Sequence, residues 1–498
     1  MLEFLLLIVL SVITYIIVKH SVTGMTRTPI WLLWLVMMTP AFVWTAWIAY
    51  FGKEQPMPPL LAIAPFVVCP LVYWWLIGLG RRDLPKQTSA KSDLSPEDPE
   101  KAPLQTGEEN SSKLRPITTN EEKLLRNCFP WGIYYLQNLD YRPQAILCRG
   151  KLRSNPEVAY QTIKENITEK FGDRFLLIFQ EGFKGQPFFA LVPNPRSQSQ
   201  DQPKPAEKLT RPGLALALLL ITIFTTTTIG AEIAGVSLEE LQQDPSLLLQ
   251  GLPYSLSIIG ILGIHEFGHY LTAKYYQIRT TLPYFIPIPF FLGTFGAFIQ
   301  MRSPVPHRKA LFDVSLAGPL VGFIASLPIL LWGLSLSETV PLTEESGLLN
   351  IQSIDPRYSF LLAVLSKIAL GSQLNPQTAI DLHPIAFAGY IGIVVTALNL
   401  MPVGQLDGGH IVHAMFGQRT AIGIAQVARL LMLGLALLQS DYLLWAIILW
   451  LMPIADEPAL NDVTQLDNKR DFIGLLALTL LVIILLPVPG TISQWLNF

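Results

Sequence analysis

Long apolar runs constrain this chain more than any other feature. A helix rises about 1.5 Å per residue and the hydrocarbon core of a bilayer is about 30 Å thick, so about 20 mostly apolar residues make a span. Runs of this kind occupy residues 1–18, 29–51 and 58–80 and, after a break, 213–229, 254–276, 310–336, 384–400, 421–438, 442–454 and 472–486. The 442–454 run is short for a crossing and fits a half-span or an interfacial piece. Of the 498 residues 51% are hydrophobic and 14% charged, whereas a soluble domain carries about 25% charged residues. The expected fold class is therefore an all-α polytopic membrane protein with a helical core, and its first partner is the lipid bilayer. A formal net charge of -2 gives no field of one sign, so no nucleic-acid partner is expected.

Two polar stretches divide the apolar runs. Residues 81–116 are rich in Lys, Glu, Ser and Pro, cannot bury enough apolar surface to fold, and read as a disordered linker; residues 196–212 read as a second one. Between them, 117–195 predicts a small α+β domain. A capped helix starts near Thr119 with Glu122 three residues on, and strand-like runs follow in WGIYYLQ and AILCRGKLR. A helix then begins after Asn155 with Pro156 in its first position and runs to Phe171, and RFLLIFQEG with QPFFALVPN forms a hairpin. The domain plan is three N-terminal membrane helices in 1–80, the linker, the α+β domain, the second linker, a membrane domain over 213–486 and a tail over 487–498. The first run lacks a basic start and an Ala-x-Ala cleavage site, so it is expected to be a retained helix. Cys69, Cys128 and Cys148 show no paired spacing and are expected to be reduced thiols.

Basic residues accumulate in short cytoplasmic loops. Here they cluster at Lys19 with Arg27, at 81–86, 302–309, Arg419 and 468–470, while AEIAGVSLEELQQDPS and SETVPLTEES carry acids and no bases. Counted alternately, the amino terminus lies outside and the α+β domain is cytoplasmic.

The run 254–276 contains His265-Glu266-Phe267-Gly268-His269. Residues four apart share one face of a helix, so both imidazoles reach one ion. Ionisable groups at membrane depth cost at least about 2.5–3.5 kcal/mol each, and a metal compensates three of them within five residues. Zinc takes His nitrogens and keeps one position open in a catalytic site, where Glu266 would stand as general base. A third protein ligand is needed. The best candidate is Asp407, in Asn399-Leu400-Met401-Pro402-Val403-Gly404-Gln405-Leu406-Asp407-Gly408-Gly409-His410, with His410 and His413 as rivals. Residues 293–301, which alternate glycine with aromatic and β-branched side chains, fit either a re-entrant strand that takes an unwound substrate by strand addition or a simple packing loop.

HEFGHY on one membrane helix and N-x-x-P-x-x-x-x-D-G on a later one resemble the site-2 protease family of intramembrane zinc metalloproteases, peptidase family M50. The stretch Gly293 to Met301, Ser303-Pro304 and Ala317-Gly318-Pro319 are similar to that family's glycine-containing loop and following helix. The resemblance covers about residues 213–486. It implies one Zn2+ per chain held by His265, His269 and Asp407, Glu266 as catalytic base, and Asn399, Gly293 and Gly296 beside the substrate. It also implies membrane-anchored protein substrates cut in or near their transmembrane segments. The α+β domain, Gly150-Lys151-Leu152-Arg153 and NDVTQLDNKRD resemble the photosynthetic branch, found in cyanobacteria and chloroplasts. By itself the tetrapeptide fits a turn after a strand. No transit peptide is evident, which favours a cyanobacterial plasma or thylakoid membrane. Two rivals are a prenyl-protein endopeptidase, which the Asn399-to-Gly408 motif disfavours, and a non-catalytic scaffold or transporter on the same fold.

Overall fold

The computed structural model describes residues 28–52, 117–142, 145–182, 185–194, 211–290, 292–343, 353–438 and 442–496, with scattered positions between 11 and 79. The chain forms two compact units, Met1–Leu104 and Gln105–Phe498. In the first, α1 (Ile30–Phe51) is apolar over its length and carries Pro40 inside it. Most of the other two N-terminal runs, and both linkers but for residues 211 and 212, lie outside the described residues.

The second unit begins with the α+β fold. Its elements are α2 (Thr119–Asn127), β1 (Tyr134–Arg142), β2 (Ala145–Leu152), α3 (Pro156–Phe171), β3 (Phe175–Glu181) and β4 (Pro187–Pro193). The strands form an antiparallel sheet in the order β1-β2-β4-β3, which leaves β1 and β3 as edges. Thr118 caps α2 and Glu121 closes the capping box, one residue earlier than expected. The sequence Thr118-Thr119-Asn120-Glu121-Glu122 contains the T-x-x-E spacing twice, and the structure uses the first copy. Asn155 caps α3 with Pro156 at its first position, as the sequence predicts. Gly150 lies inside β2 and not in a turn after it. A Cβ there would fall 2.1 Å from the Tyr135 carbonyl oxygen, so the β1 backbone passes where a side chain would stand.

The core of this fold is aromatic. Phe179 and Phe189 stack at 4.1 Å, and the buried Tyr134 hydroxyl donates to the Cys148 carbonyl at 3.0 Å. Cys128 and Cys148 are free, buried thiols, and burial pushes both thiols up, which disfavours the nucleophilic thiolate. Iodoacetamide should therefore modify Cys148 at least ~10³-fold more slowly in the native protein than in the denatured chain, the low end of folded-to-unfolded ratios. Peptide mass spectrometry reads this directly, and labelling at the denatured rate would show that the sheet is open.

The membrane part contains α4 (Pro212–Ile233), α5 (Leu238–Gln243), α6 (Leu252–Tyr275), β5 (Tyr284–Pro287), β6 (Thr294–Phe298), α7 (Arg308–Ser335), β7 (Glu338–Pro341) and α8 (Phe360–Leu370). It continues through β8 (Thr378–Asp381), α9 (Pro384–Leu400), α10 (Asp407–Phe416), α11 (Gln418–Leu438), α12 (Leu443–Leu451), α13 (Asn468–Leu485) and α14 (Gly490–Leu496). Among the described residues, five helical stretches are long and apolar enough to cross a membrane: Ile30–Trp47, Pro212–Ile233, Pro245–Tyr275, Arg308–Ser335 and Gln418–Leu437. This is a mostly helical, multi-pass membrane protein with a few small sheets. The 442–454 run yields only the nine-residue α12, in keeping with a partial span. Helix α8 was not foreseen, because eleven residues with Lys367 fall short of a span; Ser359 caps its start and Gly371, at φ +57°, ends it.

Small residues set how closely α6, α7 and α9 approach. A Cβ on Gly333 of α7 would come within 2.1 Å of the Ala386 nitrogen, and one on Gly389 of α9 within 2.6 Å of the Leu330 nitrogen. Without water to drive helices together in lipid, close backbone packing is the main source of their association. His265, Glu266 and His269 on α6 and Asn399 on α9 belong to helices of this packing, and Asp407 joins them from α10.

Candidate metal centre

His265 and His269 lie one turn apart on α6, and their Nε2 atoms face each other at 3.1 Å. The Asp407 carboxylate oxygen lies 3.3 Å from the His269 Nε2 and 3.7 Å from the His265 Nε2. The ligand atoms of these three residues all fall within 4.8 Å of one another, and both histidines are buried. Asp407 arrives there as the first residue of α10, after a loop that folds back on α9. Pro402 follows the end of α9, and Gly404 adopts φ +53° with the Pro453 carbonyl oxygen 1.8 Å from where a Cβ would stand. A side chain at Gly404 would push this loop, and Asp407 with it, away from the histidines.

The donor set fits zinc. The His269 Nδ1 lies 2.8 Å from the Val314 carbonyl on α7, an acceptor that fixes the tautomer. With Nδ1–H donating outward, the Nε2 lone pair faces the cluster, which is the support that metal-ligating histidines ordinarily have. Two imidazole nitrogens and one carboxylate leave a tetrahedral ion one open position. Asn399, on the last turn of α9, places its side-chain nitrogen 3.2 Å from the His265 Nε2.

Glu266 is buried next to the pair. β6 packs against α6, so the β5–β6 hairpin lies beside the helix that carries the candidate base. In that hairpin Tyr284 pairs with Phe298 and Phe285 with Ala297. Gly293, at φ +76°, lies against α4: the Thr225 hydroxyl donates to its carbonyl at 2.7 Å, and a Cβ would fall 2.6 Å from the Thr226 Cα. Gly296, at φ +107°, faces open space, and Phe295 beside it is 79% exposed. Among the described residues β6 pairs only with β5, so its other edge has no strand partner.

His410 and His413 stand apart from the centre, in a buried ionic network. The Asp456 carboxylate bridges them, 2.8 Å from the His410 Nδ1 and 2.6 Å from the His413 Nδ1. The His413 Nε2 meets Asp462 at 3.1 Å, and the Arg308 Nε donates to Asp462 at 3.0 Å. Helix α10 is not one of the spanning helices. Burial alone would push His413 down, but the two carboxylates outweigh it and hold the imidazole protonated, its pKa up to about 9. Asp456 and Asp462 thus face the His413 imidazolium and the Arg308 guanidinium. No local pattern announces Asp456, Arg308 or the Val314 carbonyl, because each reaches its partner across more than 40 residues; Asp462 lies in NDVTQLDNKRD, which carries the resemblance but does not reveal its partners. His307 and His383 serve as the N-caps of α7 and α9.

Fold and site together define a polytopic helical membrane protein with a two-histidine, one-aspartate cluster gathered from separate helices. The family model "Peptidase family M50" matches residues 253–439, and the chain belongs to that family. It is 30% identical over 366 residues to "Probable zinc metalloprotease EGY2, chloroplastic" of Arabidopsis thaliana, covering 72% of this chain and 63% of the relative. To "Probable zinc metalloprotease EGY1, chloroplastic" of the same plant it is 30% identical over 379 residues, 70% of this chain and 67% of the relative. The EGY2 protein of Oryza sativa subsp. indica gives 30% over 371 residues, 72% of this chain and 65% of that one. The matches thus span about two thirds of these relatives' length. No solved structure matches the chain.

Proposed function

We propose that the chain is an intramembrane zinc endopeptidase that hydrolyses peptide bonds in or near the transmembrane segments of membrane-anchored proteins. The observation that carries this reading is the meeting of His265, His269 and Asp407 within 4.8 Å, with the buried Glu266 carboxylate beside them. In it, His265, His269 and Asp407 hold one zinc and Glu266 is the general base. Zinc so held supplies Lewis acidity, which brings the pKa of water from about 15.7 to about 7. Glu266 takes the proton of the attacking water and returns it to the leaving amide nitrogen. Asn399, one side chain from His265, steadies the substrate or that imidazole.

Peptide bonds inside a helix are already hydrogen-bonded, so a substrate has to unwind before its carbonyl can be attacked, and helix-breaking residues in it would help. The free edge of β6 offers an unwound segment main-chain partners next to Glu266. Gly296 keeps that approach clear, Gly293 anchors the hairpin to α4, and Phe295 supplies an apolar contact. Residues 213–486 form the protease domain, 1–80 a separate set of membrane helices, and 117–195 a cytoplasmic domain. The resemblance to chloroplast proteins supports a photosynthetic membrane, plasma or thylakoid.

The test is a panel of tagged single-span proteins incubated in liposomes with the purified full chain, zinc-loaded or chelator-stripped, with cut sites mapped by mass spectrometry. Cleavage within the span by the loaded protein alone is expected. Persistent failure to cut, zinc bound, would favour a scaffold or transporter.

A further inference from the structure

The short segment 460–463 belongs to the membrane half by sequence and to the soluble sheet by structure. The Phe179 N–H on edge strand β3 donates to the Leu460 carbonyl at 2.7 Å, and the Asp462 N–H donates to the Phe179 carbonyl at 2.9 Å. On its other side the segment pairs with the residues entering α7: the Leu460 N–H donates to the Val305 carbonyl at 2.9 Å and the Asn461 N–H to the Pro306 carbonyl at 3.0 Å. Val463 is buried within the aromatic core of the α+β domain, and Leu460 packs against it. Backbone pairing on both sides and burial of a side chain in the far domain make this a built joint.

One side chain of the joint points the other way. Asp462, 4% exposed, takes the Arg308 Nε at 3.0 Å and the His413 Nε2 at 3.1 Å, and both of those side chains are buried. His413 lies on α10, the ten-residue helix whose first residue is Asp407. Asp456 holds the opposite nitrogen of the same imidazole at 2.6 Å and the His410 Nδ1 at 2.8 Å, so α10 is gripped at His413 by two carboxylates from the 452–467 segment and at His410 by one of them. A helix of this length moves as a rigid body, and a shift at His413 is carried to Asp407 six residues away.

We propose that Asp462 is a positioning residue through which the soluble sheet sets the placement of Asp407. Displacing the β3 edge from residues 460–462, as a protein bound to that sheet would, loosens the metal centre. The inference rests on Asp407 being a metal ligand and adds a route by which the α+β domain regulates that site.

Coupling of this kind is reciprocal: if the joint steadies the metal, the metal steadies the joint. The first experiment therefore needs no variant. Hydrogen exchange is measured on the full chain, zinc-stripped and zinc-loaded, at the amides of α6, α10, Phe179 and Asp462. Zinc is expected to slow exchange at Phe179 and Asp462 several-fold as well as in α6 and α10. Protection of α6 and α10 with Phe179 and Asp462 unchanged overturns the inference and leaves the metal reading standing; protection of none of them removes the metal reading and the inference with it. The second experiment follows zinc release to a chromophoric chelator. Asp462→Asn, which keeps the shape and loses the charge, and Val463→Asp, which evicts the joint from the soluble core, are each expected to release zinc about 10- to 100-fold faster, the range for supporting residues of metal sites. Wild-type release rates from either variant overturn the proposal, whatever the melting temperature does.

Discussion

Glutamine in place of Glu266 should leave the chain loaded with zinc and stop it cutting. The substitution preserves volume and planar shape and removes only the carboxylate charge, and Glu266 contributes no atom to the His265, His269, Asp407 cluster. A positioned general base contributes about 10²- to 10⁴-fold, which at about 1.4 kcal/mol per decade is about 3–5 kcal/mol of barrier. Turnover on a cognate single-span substrate is expected to fall by at least ~100-fold, with one zinc per chain still found by elemental analysis. If zinc is lost together with activity, Glu266 supports the site's structure and the base lies elsewhere. If turnover survives, Glu266 is not the base. The β5–β6 hairpin should stay in place, because its own backbone pairing and the Thr225–Gly293 contact do not depend on the carboxylate charge.

How much of this was legible in the sequence follows from the range of each interaction. His265 and His269 share a helix face by spacing alone, and the apolar run around them fixes the element. Asp407 was favoured over His410 and His413, and the structure gathers Asp407 with the histidines while it places His410 and His413 on Asp456 and Asp462. Local caps were legible to within one residue, as at Thr118 and Asn155. The joint at 460–463 was not. Its partners, Phe179 and Val305, are separated from it by about 280 and 155 residues, and backbone pairing across such distances leaves no mark in local composition. Gly150 was misplaced for a related reason: a glycine inside a strand reads as a turn unless the neighbouring strand that crowds it is known.

Alanine in place of Gly318 tests the packing directly against a ligand imidazole. On α7 the added methyl would fall 2.1 Å from the His269 Nε2, 2.4 Å from its Cδ2 and 2.5 Å from its Cε1, over the atom that faces Asp407. The imidazole cannot swing aside cheaply, because its Nδ1 is held by the Val314 carbonyl on the same helix at 2.8 Å and the ring is buried. Either α7 moves back from α6, which opens the close contact made by Gly268 against Ala317, or His269 leaves its rotamer; both displace a ligand atom by more than a metal centre tolerates. Overpacking of this kind costs about 1–3 kcal/mol of stability, and losing the orientation of a ligand costs about 10- to 100-fold in metal affinity. The control is Gly423→Ala on α11, where a Cβ meets nothing within 4 Å; it should leave zinc affinity unchanged and stabilise the helix by up to about 1 kcal/mol. Competition with a chelator of known affinity measures both variants, and a Gly318→Ala protein that binds zinc like the wild type would mean that α6 and α7 are not packed this closely and that His269 is not held by Val314.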